Sequence, residues 1–287
     1  MPDLTVHEEL GLVRVFRAGS GTPILTQQAR PHTRPYIHPI VSPTGVGTVT
    51  EDAPDHHPWQ HGLSVGLNDV NGVGFWHEGL HSKHLRDGTF HPVLAGEPST
   101  EGNRASWEVR TELRAPGGEP LLHETQAWTL TDHGDRYELG LALGFRAARD
   151  LTFGRYPYGG LFLRMPYRPE SGGTAYNSEG QAGTEAEQQP ARWVAVRMPL
   201  LDAGPDDDPP LVVVMDHPGN FRHPVPWRID NELGVGPSPS IGGAWQLPAG
   251  QERRFHHNVV VFGAPVGTPE IEQAWQAFTT AVPGEAA

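Results

Sequence analysis

The strongest pattern in the chain is an alternation of apolar and polar residues with a period of two. Residues 104–114 alternate without interruption, with apolar side chains at Ala105, Trp107, Val109 and Leu113. Residues 136–145 place Tyr137, Leu139, Leu141, Leu143 and Phe145 on one face. This period predicts strands that have one buried and one solvated face. With residues 121–131 between them and short turns on either side, we predict three consecutive antiparallel strands.

Shorter apolar segments predict further strands before and after these three. Residues 11–17 and 192–198 are of this kind, and the unbroken apolar run at 211–215 is typical of a central strand. Residues 241–247 and 253–262 are predicted to form a final hairpin. The 35 glycines and 29 prolines show no collagen periodicity and fit many short strands joined by turns. We therefore predict an all-β fold, a large antiparallel β-sandwich or supersandwich.

Only the C-terminal region has the pattern of a helix. Thr268 is a favourable N-cap and Pro269 suits the first helical position. The apolar stripe of this helix consists of Ile271, Ala274, Trp275 and Phe278. We predict a helix over about residues 268–281, with its stripe lying against the sheet. Because no repeat or linker interrupts the chain, we expect a single β-supersandwich domain over residues 1–287.

Composition narrows the range of partners. The chain has no cysteine and a formal net charge of −13, so we expect no disulfides, no thiolate chemistry and no nucleic-acid or anionic-membrane partner. The N-terminus lacks the features of a signal peptide, and no apolar run approaches the ~20 residues that span a bilayer. We expect a cytoplasmic protein with a small-molecule partner, and a homo-oligomer is left open. The motifs of dinucleotide-binding, P-loop and α/β-hydrolase proteins are absent from the sequence.

The most unusual segment is residues 52–62, the histidine loop. It contains His56, His57 and His61 between prolines and a glycine. The prolines make it a poor helix and a poor strand. A strand is predicted directly after it, from Leu63 to Leu67, so the loop has a firm base. We predict that the histidine loop forms the rim of a ligand site.

Three interpretations of the histidine loop are open. Its imidazoles suit general acid or base catalysis, because their ordinary pKa is near neutral. Alternatively, His56, His57 and His61 bind a divalent metal such as zinc, with Asp55, Asp216 or Glu78 completing the site. The third interpretation is a hydrogen-bonded turn without chemistry. No cofactor is implied beyond this metal.

Other candidate site residues come from distant segments. An arginine beside aromatic side chains can bind a carboxylate or sugar hydroxyls, or pair with a structural glutamate. A buried strand that ends on an aspartate and a histidine places polar groups at the rim of a sheet. The candidates of the first kind are Arg34, Tyr36, His38, Trp76, Tyr158 and Arg164, and those of the second are Asp216, His217 and Asn220.

Five motifs together resemble the bacterial family named PmoA, a family without an assigned function whose genes neighbour genes of sugar metabolism. They occur in the family's order and cover most of residues 30–262. The motifs are Arg-Pro-Tyr-Ile-His-Pro (34–39), Asp-His-His-Pro-Trp-Gln-His-Gly-Leu (55–63), Asn-Gly-x-x-Phe-Trp (71–76), Tyr-Gly-Gly-Leu-Phe-Leu-Arg (158–164) and Asp-His-Pro-Gly-Asn-x-x-x-Pro-x-x-Trp (216–227).

More remotely, the β-rich length and the His-Gly pair at 61–62 resemble galactose-mutarotase-like β-supersandwich proteins. That resemblance implies a sugar bound on a concave sheet face, with a histidine and a carboxylate moving protons at C1. The C-terminal catalytic glutamate motif of mutarotases is absent, so the resemblance assigns no residue to that step.

These observations lead to one hypothesis and two alternatives. The hypothesis is a carbohydrate-active enzyme that acts on a sugar or oxidised sugar by proton transfer, as an epimerase, isomerase or lyase. In it, His57 and His61 are the acid/base candidates, Asp216 or His217 is their partner, and the other candidates bind substrate. The alternatives are a metal-dependent sugar-modifying enzyme that uses His56, His57 and His61, and a non-catalytic carbohydrate-binding protein.

Overall fold

The computed structural model of the protein describes residues 1–81, 86–170, 172–204 and 206–280. Within these ranges the chain forms mostly strands, with two short 3-10 helices at Gly183–Glu185 and Pro239–Gly242 and one α-helix, α1, at Thr268–Thr280. The strands are β1 (Leu4–Glu9), β2 (Leu12–Arg17), β3 (Leu25–Gln28), β4 (Tyr36–Ile40), β5 (Leu63–Val70), β6 (Val73–Phe75), β7 (Arg86–Asp87), β8 (Thr89–Leu94), β9 (Ser99–Glu101), β10 (Arg104–Arg114), β11 (Pro120–Asp132), β12 (Arg136–Ala147), β13 (Leu151–Phe153), β14 (Gly160–Leu163), β15 (Thr174–Asn177), β16 (Pro190–Ala191), β17 (Trp193–Arg197), β18 (Leu211–Asp216), β19 (Val225–Ile229), β20 (Val235–Pro237), β21 (Trp245–Leu247) and β22 (Glu252–Phe262).

The strands form two large sheets. In the first sheet the order is β1-β2-β3-β4-β5-β14-β20-β19-β16, with β6, β7, β13 and β21 attached beside β5. In the second sheet the order is β15-β17-β18-β22-β12-β11-β10-β8, with β9 on β10. Neighbouring strands are antiparallel, except for β6 and β7. The predicted all-β class is confirmed.

The three predicted central strands are confirmed as the antiparallel meander β10-β11-β12. Their alternating apolar side chains face the first sheet, and the two sheets share one large core. The predicted central strand at 211–215 is also confirmed, because β18 lies between β17 and β22. The period-two pattern was a sound guide to β10, β11 and β12 because each of them buries only one face, whereas β18, predicted from its unbroken apolar run, is buried on both faces.

The predicted C-terminal helix is confirmed as α1, within the described residues; residue 281 of the predicted range lies outside them. Its stripe packs on the outer face of the second sheet, away from the inter-sheet core. Glu272 attaches the helix by accepting hydrogen bonds from Arg192 at 2.8 and 3.0 Å and from the indole of Trp193 at 2.9 Å. The helix therefore covers one part of the second sheet. No helix in the described ranges is long and apolar enough to cross a bilayer.

The predicted final hairpin at 241–247 and 253–262 is wrong. Strand β21 pairs with β13 in the first sheet, and the rings of Trp245 and Phe153 lie parallel with centroids 3.7 Å apart. Strand β22 pairs instead with β12 and β18 in the second sheet. This cross-strand aromatic pair joins segments far apart in sequence, so local turn signals could not predict it.

Strand β5 divides the first sheet into a core face and an outer face. Leu63, Val65 and Leu67 lie in the inter-sheet core, so Ser64 and Gly66 point to the other side. Tyr36 and Phe162 both pair with Ser64 and share its face. The outer face of the first sheet carries the residues of the candidate site.

Candidate functional site

Two buried arginines hold the histidine loop against the first sheet. Arg34 is 1% exposed and donates from Nη2 to the backbone carbonyl oxygen of Trp59. Arg164 is fully buried and donates from Nη1 to Oε1 of Gln60 at 3.1 Å. The backbone of Arg164 also donates to the carbonyl oxygen of Gly62 at 2.7 Å. Because the arginines lie on the sheet and their acceptors lie in the loop, the loop has a fixed position.

The loop closes on itself as a tight hairpin. Asp52 and His61 form an antiparallel bridge, and the amide of Ala53 donates to the carbonyl oxygen of Gln60 at 2.8 Å. At Gly62 an added Cβ would lie 2.3 Å from the carbonyl oxygen of Ile37, so only glycine fits against β4. The closure places the side chains of Asp52 and His61 side by side.

His61 lies between two carboxylates. Its Nδ1 is 2.6 Å from Oδ1 of Asp52, and its Nε2 is 3.3 Å from Oε1 of Glu78. The hydroxyl of Tyr36 donates to Oδ2 of Asp52 at 3.1 Å, and the Tyr36 ring stacks on the imidazole with centroids 4.6 Å apart. Nε of Arg34 lies 3.0 Å from Oε1 of Glu78. We call Tyr36, Asp52, His61 and Glu78 the His61 cluster.

The His61 cluster is partly open to solvent. The side chain of Asp52 is 30% exposed, that of Glu78 is 16% and that of His61 is 13%. These groups are therefore accessible to solvent. Glu78 has a φ of 55°, in the left-handed region, which costs a residue of this kind of order 1–3 kcal/mol. The surrounding structure holds Glu78 in this conformation despite the cost.

The charges of the cluster stabilise one another. Burial, the largest effect on His61, lowers its pKa, but the contacts with Asp52 and Glu78 outweigh it, so its pKa is raised. Burial alone would raise the pKa of Glu78, but Arg34 and then His61 hold it below its ordinary value. The pKa of Asp52 is lowered in the same way by His61, against burial. These shifts extend the pH range over which an imidazolium lies between two carboxylates.

A second set of groups lies on the other side of the histidine loop. Nε2 of His56 lies 2.9 Å from Oε2 of Glu232, and Nδ1 of His57 lies 3.4 Å from the same oxygen. Arg164 contacts Glu232 with Nη1 and lies 3.0 Å from Nε2 of His56 with Nη2. We call His56, His57 and Glu232 the His56 cluster. Burial of the His57 imidazole lowers its pKa, and the nearby Arg164 lowers it further.

A cavity of about 700 Å³ borders the His56 cluster. Its lining residues include the ionisable side chains of Glu51, Asp55, His56, Arg168 and Glu232. Nη2 of Arg168 pairs with Oε1 of Glu51 at 2.7 Å, and Glu51 also accepts from Nε of Arg164 at 3.1 Å. The floor of this cavity is therefore a network of ion pairs.

Asp216 belongs to a third set, at the end of β18 in the second sheet. Its Oδ1 accepts a hydrogen bond from the side-chain amide of Asn220 at 2.6 Å. Its Oδ2 lies 2.7 Å from Nδ1 of His223, and its Oδ1 lies 3.6 Å from Nδ1 of His257. The ring of His217 packs on Phe278 of helix α1 with centroids 5.2 Å apart. These contacts make the third set a buried link between a strand end, a loop and the helix.

The structure thus distributes the predicted site residues over these three sets. The predicted partnership of His61 with Asp216 or His217 is not observed, because Asp52 and Glu78 occupy both nitrogens of the imidazole. The predicted metal set of His56, His57 and His61 is not observed either, because Glu232 takes the place of His61.

Several predicted substrate-binding residues have protein partners of their own. Every nitrogen of the Arg164 guanidinium contacts Glu51, Gln60, Glu232 or His56. His38 lies 2.9 Å from the hydroxyl of Thr50. Trp76 packs on Tyr158 with centroids 4.6 Å apart, and the guanidinium of Arg34 lies 5.6 Å from the Trp76 ring centre. Arg34, Trp76 and Arg164 therefore each contact other protein groups around the site.

Three residues were missed by the sequence analysis: Asp52, His223 and Glu232. Asp52 was within reach, because a hairpin over residues 52–62 places its two ends opposite each other. Glu232 lies within a turn in which Asp230 accepts amide hydrogen bonds from Glu232 and Gly234, at 3.0 and 2.8 Å. No local signal links that turn to the histidine loop.

Comparison with protein families gives one assignment. The model of a family of unknown function, DUF6807, matches residues 19–276, and the chain therefore belongs to this family. No curated protein matches the sequence. The comparisons give no support for the name PmoA, and DUF6807 replaces it.

Comparison with solved structures gives similar proteins at low identity. An α-galactosidase from Lactobacillus brevis is 12% identical, with a TM-score of 0.41, over 96% of this chain and 41% of that one. The GH36 α-galactosidase AgaA from Geobacillus stearothermophilus is 10% identical, with a TM-score of 0.39, over 90% and 40%. The Slr1438 protein from Synechocystis sp. PCC 6803 is 10% identical, with a TM-score of 0.40, over 92% and 96%. The chain thus spans about two fifths of the length of the two galactosidases.

Proposed function

We propose that this DUF6807 protein is a carbohydrate-active enzyme that moves protons on a sugar or oxidised sugar at the His61 cluster. The observation that supports it is the imidazole of His61 between two carboxylates, partly exposed to solvent on the outer face of the first sheet. Groups that accept, hold and donate a proton lie within hydrogen-bonding distance of one another, as acid/base catalysis requires. Carboxylates, imidazoles and a phenol also bind hydroxyl groups, of which sugars have many.

Asp52 is the positioning residue of the cluster. It accepts the Nδ1 proton of His61 at 2.6 Å, and the Tyr36 hydroxyl occupies its second oxygen. This fixes the orientation of the ring and directs Nε2 towards Glu78. The stacked Tyr36 ring restricts the imidazole from the side. His61 therefore exchanges protons through Nε2.

Glu78 and His61 then form the acid/base pair. The Glu78 carboxylate takes a proton from the substrate, and Nε2 of His61 donates one to a substrate oxygen. The protein then holds a neutral carboxylic acid and a neutral imidazole, 3.3 Å apart. Loss of a proton from carbon and gain of one at oxygen make the substrate an enol. Return of a proton from Glu78 to the same or a neighbouring carbon, with loss of the hydroxyl proton to Nε2, gives the product and restores both groups, so no other reactant is needed. Epimerases, isomerases and lyases all use such a step.

Hydrogen exchange into sugars tests the proposal without a known substrate. The protein is incubated in D₂O with aldoses, ketoses and uronic acids, and proton NMR follows each carbon-bound hydrogen. We expect one class of sugar to lose a hydrogen signal or to form a product. General acid/base catalysis contributes about 10²–10⁴-fold, so His61→Gln should slow the reaction at least about 100-fold.

The matched control is His133→Gln. His133 also lies beside a carboxylate, 3.2 Å from Glu138, but on the second sheet. This variant should react at the wild-type rate. Reaction at the wild-type rate in His61→Gln would exclude His61 as the acid. Sugar binding by the wild type without exchange or product would identify a non-catalytic binding protein. If the wild type shows no sugar binding and no exchange, the carbohydrate role is refuted.

A further inference from the structure

We propose that the His56 cluster is a binding site for a divalent transition-metal ion of the zinc type. Nitrogen atoms of His56 and His57 and a carboxylate oxygen of Glu232 all lie within 4.8 Å of one another. With metal–ligand bonds of about 2.1 Å, the ligand atoms of a tetrahedral ion lie about 3.4 Å apart. The present spacing is close to this, so small side-chain rotations would complete the set. This site is separate from the His61 cluster.

In the cluster as it stands, Arg164 supplies the positive charge, because its guanidinium contacts Oε2 of Glu232 with Nη1 and Nε2 of His56 with Nη2. Arg164 can only donate, so its Nη2 requires a lone pair on Nε2 of His56, 3.0 Å away. That nitrogen then has no proton for Oε2 of Glu232, and two lone pairs face each other at 2.9 Å. If Nε2 carries the proton instead, its contact with Arg164 is lost. A bound cation uses both lone pairs.

His57 supplies an independent observation. Its Nδ1 atom is buried and makes no hydrogen bond, although Oε2 of Glu232 is 3.4 Å away. Buried polar atoms usually have a partner, so this nitrogen, which lies inside a set of ligand-type atoms and has no protein partner, is available to a metal ion. The third group of the set thus points at the same position as the other two.

The surrounding charge favours a cation despite the arginines. Four carboxylates lie in or beside the cluster and its cavity: Glu51, Asp55, Asp230 and Glu232. Two arginines, Arg164 and Arg168, oppose them. Arg164 keeps Glu51 and Gln60 as partners when the lone pair of His56 is given to a metal. With neutral histidines, two negative charges remain to balance a divalent ion.

Two histidines and one glutamate leave a fourth ligand position open. This ligand set occurs in catalytic zinc sites, whereas structural zinc sites have four protein ligands. The open position would face the 700 Å³ cavity, which His56 and Glu232 line. A water molecule, or a hydroxyl or carboxylate oxygen of a small molecule in the cavity, fits this position.

Calorimetric titration of the full chain with zinc chloride alone tests the proposal. The protein is first treated with a chelator and dialysed. We expect one ion per chain for the wild type. Loss of outer-sphere partners weakens metal sites about 10–100-fold, so His57→Ala and Glu232→Gln, which remove ligands, should weaken binding by about 100-fold or more. Cobalt provides a second readout, because its visible absorption reports the ligand geometry.

His123→Ala is the matched control. His123 lies 3.8 Å from Glu112 on the second sheet and forms a surface histidine–glutamate pair. Zinc binding should be unchanged in this variant. No saturable binding by the wild type, or equal binding in His57→Ala, would overturn the proposal. Circular dichroism checks that each variant is folded. Glu232 also contacts Arg164, so Glu232→Gln could unfold the protein, and His57→Ala then decides the result. Neither result of the zinc titration bears on the proposed sugar exchange at the His61 cluster, which is tested separately.

Discussion

At Gly66 the absence of a side chain decides whether Arg34 can lie where it does. An added Cβ would lie 2.6 Å from Nη1 of Arg34 and 2.7 Å from the ring of Trp76. Both neighbours are buried, at 1% and 4% exposure, and have little room to move. The backbone of β5 therefore approaches the arginine as closely as the chain allows. Because Arg34 donates a hydrogen bond to the carbonyl oxygen of Trp59, its fixed position against β5 also fixes the histidine loop on the sheet.

We predict that Gly66→Ala lowers the free energy of unfolding by about 1–3 kcal/mol, the usual cost of overpacking a core. Urea denaturation measures the change. Gly140→Ala is the control, because the nearest atom to its added Cβ is 4.0 Å away. It should leave stability unchanged or raise it slightly. Equal stability of the two variants would show that Arg34 is not confined by β5.

At the scale of the element, the histidine loop depends on its two arginines more than on its own turns. Its internal hydrogen bonds close the hairpin but do not orient it on the sheet. Arg164 adds contacts to Gln60 within the loop, to Glu51 before it and to Glu232 from a distant turn. The arginine thereby joins three segments in one buried network.

We predict that Arg164→Met lowers the free energy of unfolding by about 3–5 kcal/mol, because Glu232 then lacks its arginine and Glu51 keeps only the partly exposed Arg168. Arg110→Met is the control. Arg110 pairs with Glu108, but the side chains of this pair are 65% and 29% exposed, and exposed pairs contribute about 0–1 kcal/mol. Thermal or urea unfolding compares the two. A similar small loss in both variants would mean that the network around Arg164 does not hold the loop.

The sequence was a better guide to the location of the site than to its partners. The density of histidines between prolines identified the loop, and the loop does contain His56, His57 and His61 of the two outer-face clusters. Glu78 was named only as one of three carboxylates that could complete a metal site, and Glu232 was not named at all, because both reach the loop through tertiary packing. For the same reason Asp216, at the end of a buried strand, was predicted as a partner of His61, whereas it contacts Asn220 and His223.

At the scale of the whole molecule, the predictable part of the fold is the part with local alternation. Strands β10, β11 and β12 are long, adjacent in sequence and buried on one face, so their period was visible. Strand β21 is short and pairs with β13 across a large sequence separation, so its partner could not be predicted from the sequence. The two sheets combine such distant pairings to bring residues 34–78, 164 and 232 together on one outer face.

Titration of the His61 imidazole by NMR tests the central claim, that two carboxylates hold this ring protonated. The groups facing the ring are Asp52, Glu78, Arg34, Tyr36 and His38. We predict a pKa above the ordinary 6.5, and a lower pKa in Asp52→Asn. Because the folded-state pKa is raised, His61 stabilises the fold below pH 6.5, and this contribution is lost as the pH rises through the folded-state pKa. A wild-type pKa at or below 6.5, or one that Asp52→Asn leaves unchanged, would contradict the account.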